Sequence, residues 1–235
     1  MNTSKSYPTH NILTNLTTGI TAKPLTLTAE MLLVTTTVIL AIKYLNQILP
    51  ASIAQLAGPT LLVAAAMGPT IIRRKNLIPI ALSLNQWPKS LRLVGLTCLV
   101  AFPAALLGLW LLKQSGLTLP APPTYSINTW ISWILWQFLV VAVAEECFFR
   151  GYLLNNLMSL INKPNLRNST IIVIVSALIF ALAHILLENT ILSALTFLPG
   201  LILGWLYLKT HSLLAPVLFH AASNIFLVLA MLILA

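Results

Sequence analysis

The sequence predicts an all-α, polytopic membrane protein of about seven transmembrane helices. Three observations carry that expectation. Apolar residues make up 58% of the 235 and charged residues 7%, whereas roughly a quarter of a soluble domain is charged. The apolar residues fall into seven runs, each near the roughly 20 residues that a spanning helix needs. The Lys and Arg residues gather in the short connections between those runs, where they act as topology signals. The net charge of +9 therefore does not read as a nucleic-acid patch, and no nucleic-acid partner is expected.

The runs are Met31–Leu49, Ser52–Ile72, Leu91–Leu112, Ile127–Phe149, Thr170–Leu187, Thr190–Leu208 and Leu213–Leu234. Leu77–Leu84 is apolar but too short to span, so an eighth, re-entrant or interfacial segment is expected there. The fourth run is free to continue as helix past Gly151 through Tyr152–Ile161. Pro50, Pro120-Ala121-Pro122-Pro123, Lys163-Pro164-Asn165 and Lys209-Thr210-His211 punctuate the ends. Residues 1–30, rich in Ser, Thr and Asn, read as a disordered cytoplasmic tail. The long polar lead and Lys43 within the first run argue against a cleaved signal peptide. The chain thus divides into the tail, N-terminal membrane helices over 31–126 and a helical core over 127–235. It shows no internal repeat of the kind many transporters carry.

Lys and Arg set the orientation. With the N-terminus inside, the inner loops collect Lys5, Lys23, Arg73, Arg74, Lys75, Lys89, Arg92, Lys163, Arg167 and Lys209, and the outer side keeps Lys113 and Lys43. A cytoplasmic N-terminus and an outward C-terminus follow. Cys98 and Cys147 lie within apolar runs and give neither a disulfide framework nor a C-x-x-C metal spacing.

The chain has four acidic residues and no Asp, and Glu145 and Glu146 stand together inside an apolar run. Carboxylates in hydrocarbon are costly and mark function by default. Residues four apart share a helix face, so Glu146 pairs with Arg150 along its own helix. Glu145, about 100° away round the helix, has no such partner, and a carboxylate left unpaired in an apolar setting takes up a proton readily, as a general base must. Glu146–Arg150 is therefore read as structure and Glu145 as chemistry, against the plainer reading that both glutamates only pair with Arg150. Phe180-x-x-x-His184 puts a ring and an imidazole on one face. By itself His184 reads more simply as a histidine bonded to a neighbouring helix backbone. Glu188, one turn further, is placed to pair with His184, but with Asn189 following it reads rather as an ordinary loop charge. His220-x-x-x-Asn224 projects an imidazole and an amide together, two donors suited to a developing oxyanion, or else to interhelical bonding. His10 and His211 lie outside the runs. Together, a carboxylate base, an imidazole and a donor pair suffice to activate water against an amide without a Ser or Cys nucleophile.

The series E-E-x-x-x-R, F-x-x-x-H and H-x-x-x-N resembles the CAAX-protease and bacteriocin-processing (CPBP) family of intramembrane endopeptidases. All three motifs match in order over Glu145–Asn224. Gly200-x-x-x-Gly204 and Ser212-Leu213-Leu214-Ala215-Pro216 are also similar to that family's C-terminal half. The resemblance covers Ile127 to Leu234, and the earlier runs match only as generic membrane helices. It implies an intramembrane protease whose site opens towards the cytoplasmic leaflet. In it, Glu145 and His184 would activate water, His220 and Asn224 would stabilise the oxyanion, and Glu146 and Arg150 would hold the first motif. The implied partner is a membrane protein or peptide entering from the lipid bilayer, and the expected location is a prokaryotic cell membrane. No cofactor is required in this mechanism; the metalloprotease alternative would place zinc on Glu145, His184 and His220.

Two readings compete with the protease. One is a non-enzymatic immunity or scaffold protein that binds a membrane peptide. The other is a proton-coupled transporter using Glu145 and His184 as a relay. The protease reading also carries a geometric demand. His184 lies roughly 20 Å beyond Thr170 and His220 roughly 10–12 Å into its helix, so the fifth helix must begin outside the hydrocarbon or tilt for the two to meet.

Overall fold

The computed structural model describes residues 24–75, 86–116 and 126–234. The expected short segment Leu77–Leu84, the lead to residue 23 and the proline-rich connection 117–125 lie outside them. Among the described residues seven helices are long and apolar enough to cross a membrane. We number them α1 Pro24–Ile48, α2 Ala51–Ile72, α3 Trp87–Gln114, α4 127–159, α5 Leu166–Glu188, α6 Ile191–Thr210 and α7 Leu214–Leu234. The expected all-α membrane architecture is thus present. The first turn of α6, Ile191–Thr196, is wound as a 3-10 helix.

Three helices, α1, α3 and α5, start four or more residues before their apolar runs. Pro24 opens α1, where a missing N–H costs nothing, and Leu27 and Met31 are buried. The first helix thus takes in Glu30, which the sequence assigned to the tail. Asn165 caps α5 by accepting from the Asn168 N–H at 2.8 Å, and the helix begins at Leu166, four residues ahead of Thr170. The ends are equally local. Asn189 and His211 close α5 and α6 in the left-handed conformation, at φ 53° and 51°, a conformation Asn and His tolerate better than most residues. His211 is exposed in its turn.

The early start of α5 answers the demand on His184. Leu166 lies about 27 Å before His184, and Leu214 only about 9 Å before His220, at ~1.5 Å per residue. The fourth helix also runs on, through Gly151 to Ser159. Both α4 and α5 therefore extend well past the α6–α7 turn, and the two histidines reach one level.

Polar contacts at the helix ends follow the alternation that seven successive spans require. At one end Glu30 meets Arg73 at 3.2 Å, and the Tyr152 hydroxyl donates to Glu30 Oε1 at 3.0 Å. Arg73 Nη1 donates to Asn156 Oδ1 at 3.3 Å, and Lys89 Nζ donates to the Lys209 carbonyl at 2.6 Å. At the other end Lys43 Nζ donates to Asn189 Oδ1 at 3.1 Å, and Lys113 donates to the Leu234 carbonyl. Arg73, counted from sequence as a loop charge, is in fact buried and ties the start of α1 and the end of α2 to the last turns of α4.

The buried centre is α4. Every residue from Cys147 to Leu154 is buried, whereas α3 turns Leu96, Leu99, Val100, Leu107 and Leu111 outward, as a lipid-facing helix would. Helices α5 and α6 close on each other across Gly200 and Gly204. A Cβ on Gly204 would stand 3.0 Å from Val173 Cγ1, and one on Gly200 would stand 3.2–3.3 Å from Ala177 and Phe180. Small residues of this kind let membrane helices approach closely. Replacing Gly200 by Leu is expected to prise α6 from α5 and cost about 1–3 kcal/mol, read as a fall in the melting temperature of the detergent-solubilised protein. An unchanged melting temperature would show that the two helices can separate without loss.

Candidate active site

Glu145 and Glu146 stand on a four-residue α-helical stretch, Val143–Glu146, between two π-helical stretches, Gln137–Ala142 and Cys147–Leu154. π-Windings are rare and tend to mark functional sites. The second stretch is wholly buried and the first only at Ala142, and the two carboxylates between them point in different directions.

Glu146 points into a closed ionic core. Its Oε1 accepts from Arg150 Nη1 at 2.8 Å, and both side chains are fully buried. The expected Glu146–Arg150 pair is therefore present. The same Oε1 lies 2.7 Å from His220 Nδ1, a contact that spacing along α4 does not reveal. Arg150 in turn donates through Nη2 to the Gly200 carbonyl at 3.3 Å and places its Cζ 4.5 Å from the centre of the Phe180 ring. One ion pair thereby joins α4 to α5, α6 and α7. The core is not fully satisfied, since Glu146 Oε2 and Arg150 Nε have no hydrogen-bond partner.

Glu145 points to two imidazoles. Its Oε2 lies 3.6 Å from His184 Nε2 and 3.8 Å from His220 Nε2, and it has no hydrogen-bond partner although buried. These separations are too long for direct hydrogen bonds. The far sides of both rings are engaged. His184 Nδ1 lies 2.9 Å from the Phe180 carbonyl, an oxygen that only accepts, so Nδ1 carries the proton. His220 Nδ1 faces the Glu146 carboxylate, already paired with Arg150, and is likewise the donor. In the neutral rings both Nε2 atoms then present lone pairs towards Glu145. His220 Nε2 donates only as the imidazolium.

Phe180 is the hub that the F-x-x-x-H spacing only hinted at. Its ring touches His184 (centroids 4.3 Å), Phe149 (4.9 Å) and His220 (6.0 Å) as well as Arg150. Phe180→Ala is expected to cost about 3–5 kcal/mol and to let both imidazoles turn. The destabilisation is checked by thermal unfolding in detergent, and Phe180→Leu should recover part of it.

Asn224 stands one turn beyond His220 on α7, where its Nδ2 donates to Gln137 Oε1 at 2.9 Å. One amide hydrogen is committed and the second is left. Gln137 was missed from sequence, although the only glutamine inside the apolar run Ile127–Phe149 was a visible signal. Ser223, close to the motif, bonds back to the Phe219 carbonyl, as a helical serine does, and takes no part in the cluster.

A small cleft opens onto this group. Glu145, His184 and Glu188 line it together with apolar side chains of α1, α2 and α5, among them Ile39, Ile42 and Leu62. The first two helices, generic by sequence, thus form one wall of the cleft. Glu188 does not pair with His184 but accepts from the Ser193 hydroxyl. Among the described residues no group of three or more His, Cys, Asp and Glu side chains is arranged to hold a metal ion.

No curated protein and no solved structure matches this chain. A family model does, over residues 127–226, from the start of α4 through the H-x-x-x-N motif. Its description is that of an endopeptidase, and it coincides with the segment on which the three motifs and their converging side chains fall. Residues 127–226 match the family model described as type II CAAX prenyl endopeptidase Rce1-like, which agrees with the intramembrane protease family that the motifs resemble.

Proposed function

We propose that this protein hydrolyses a peptide bond of a membrane-embedded protein or peptide, with water activated by Glu145 and His184. One observation carries the reading. A buried carboxylate oxygen without a hydrogen-bond partner faces two imidazole Nε2 atoms at 3.6 and 3.8 Å. Two acceptors at that separation suit a water molecule, which donates one hydrogen to Glu145 Oε2 and the other to His184 Nε2. Its lone pair is then free to attack a carbonyl.

In the proposed reaction the water oxygen bonds to the scissile carbon as Glu145 takes the water proton. The carbonyl becomes an oxyanion, stabilised by the His220 imidazolium through Nε2–H and by the uncommitted amide hydrogen of Asn224. Glu145 then returns the proton to the leaving nitrogen, the C–N bond breaks, and an acid and an amine leave. Glu146 fixes the His220 ring through Nδ1, and Arg150 holds Glu146. The substrate reaches the cleft laterally from the bilayer, past α1 and α2. The basic side chains at the Arg73 and Lys89 end support a cytoplasmic placement of that face, and so of the N-terminus.

A second reading takes both rings as neutral, with an Nε2 lone pair on each. With their Nδ1 atoms held by a carbonyl and a carboxylate, the rings have the outer contacts usual for metal-bound histidines. Glu145, His184 and His220 would then hold zinc, which lowers the pKa of a bound water. The water reading comes first because a zinc-bound Glu145 would leave no second carboxylate free to act as base.

The test uses the purified full-length protein in liposomes with a mixture of apolar peptides, cleavage being read by mass spectrometry. Hydrolysis that persists after chelation, with no zinc in the protein, and that is lost in His184→Ala is the expected result. Hydrolysis at the wild-type rate in His184→Ala would remove the proposed site. Loss on chelation with recovery on zinc would move the protein to the metal reading.

A further inference from the structure

Three of the four glutamates are accounted for. Glu30 is held by Arg73 and Tyr152, Glu146 by Arg150 and His220, and Glu145 faces the two imidazoles. Glu188 is used by none of this. It closes α5, exposed, and lines the same cleft as Glu145 and His184. No ion pair joins it to a Lys or Arg among the described residues. The lysine bound beside it, Lys43, is turned to the Asn189 side-chain oxygen.

The carboxylate is not loose. Its Oε2 accepts from Ser193 at the start of α6, which leaves Oε1 to act at the cleft. Glu188 follows His184 by four residues and so stands one turn, about 6 Å, further along the same face of α5. Most of the remaining lining is apolar, with Ile42, Leu62 and Leu187 among it. A carboxylate at the rim of an apolar cleft suits a side chain with an apolar stem and a cationic head. On a protein carrying a net charge of +9, a cationic segment meets repulsion elsewhere, so a local carboxylate is what would admit it.

We propose that Glu188 is a specificity-determining residue that binds a lysine or arginine side chain of the substrate peptide, within two residues of the bond that Glu145 and His184 attack. The proposal rests on the protease reading for the word substrate, but its geometry concerns binding. Holding by Ser193 keeps the carboxylate in place before the peptide arrives, which lowers the ordering cost of binding.

The experiment uses full-length protein in detergent and a set of quenched-fluorescent peptides, each a ten-residue Leu/Ala/Ser sequence with one Lys, norleucine or Glu moved along it. Binding is measured separately, by fluorescence polarisation on the Glu145→Gln protein with and without Glu188 substitutions. Lys peptides are expected to exceed their norleucine counterparts by about tenfold in kcat/KM and in affinity, as one charge-assisted contact supplies. Glu188→Gln should bring that ratio close to one, and Glu188→Lys should reverse it in favour of Glu peptides, which a merely structural role for Glu188 would not do. Equal handling of Lys and norleucine peptides by the wild type, or a Lys preference that survives Glu188→Gln, would overturn the proposal. Lys-dependent binding without cleavage would sustain the Glu188 site and sink the protease reading, so the two failures are distinct.

Discussion

Glu145→Gln is expected to lower peptide hydrolysis by about 10²–10⁴-fold, the usual contribution of a positioned general base, while leaving the fold intact. The amide is isosteric with the carboxylate and retains an oxygen towards the imidazoles, but it cannot take the water proton. Glu145 also bonds to nothing that holds helices together: its Oε2 has no hydrogen-bond partner, and the ring nitrogens stand 3.6 and 3.8 Å away. The melting temperature should therefore stay at the wild-type value as hydrolysis falls. The substituted protein should also retain bound peptide, recoverable by mass spectrometry. Wild-type turnover in Glu145→Gln would mean that water is activated elsewhere.

Arg150→Met should have the opposite signature, with the fold failing first. It removes the cation from a fully buried pair and leaves Glu146 charged, or forces it to take a proton, at a cost of about 3–5 kcal/mol. The contacts to Gly200 and Phe180 go with it. Replacing both partners, Glu146→Met with Arg150→Met, should recover much of that loss, because two apolar side chains leave no buried charge unpaired. The orphaned Glu146 Oε2 and Arg150 Nε make recovery easier, since the native network is itself incompletely bonded. Activity should stay lost in the double variant, since His220 Nδ1 no longer has the carboxylate that fixes its ring. Thermal unfolding and peptide cleavage read the two effects independently. A double variant no more stable than Arg150→Met would contradict the argument, as would one with wild-type activity.

Membrane helices are legible because each must satisfy its own backbone, so run length and hydropathy alone locate them. The motif residues were legible for a related reason: polar groups in hydrocarbon are rare enough to stand out one at a time. Other features were hidden because they depend on which helices meet. Spacing gives Glu146 its Arg150, but the His220 contact belongs to a helix 74 residues away. Arg73 reads as a topology charge until Glu30 and Asn156 are seen around it. The early helix starts at Pro24 and Leu166 were missed because their first turns carry Thr, Asn and Arg, which caps and ion pairs tolerate but a hydropathy window does not. Glu188 was ambiguous in sequence because nothing in the order of residues says that Ser193 folds back onto it.

The π-helical stretch Cys147–Leu154 makes the chain's length there a matter of register. A π-turn holds one more residue than an α-turn. Inserting one further residue into this stretch would exceed what the π-winding absorbs and turn everything beyond it by about 100° relative to Glu145 and Glu146. Tyr152 and Asn156 would then swing away from Glu30 and Arg73, although every motif residue was still in the chain. Insertions in this protein should therefore be tolerated between helices and rejected inside this one buried octet, where a single residue gained uncouples the paired glutamates from the end of the bundle that anchors them.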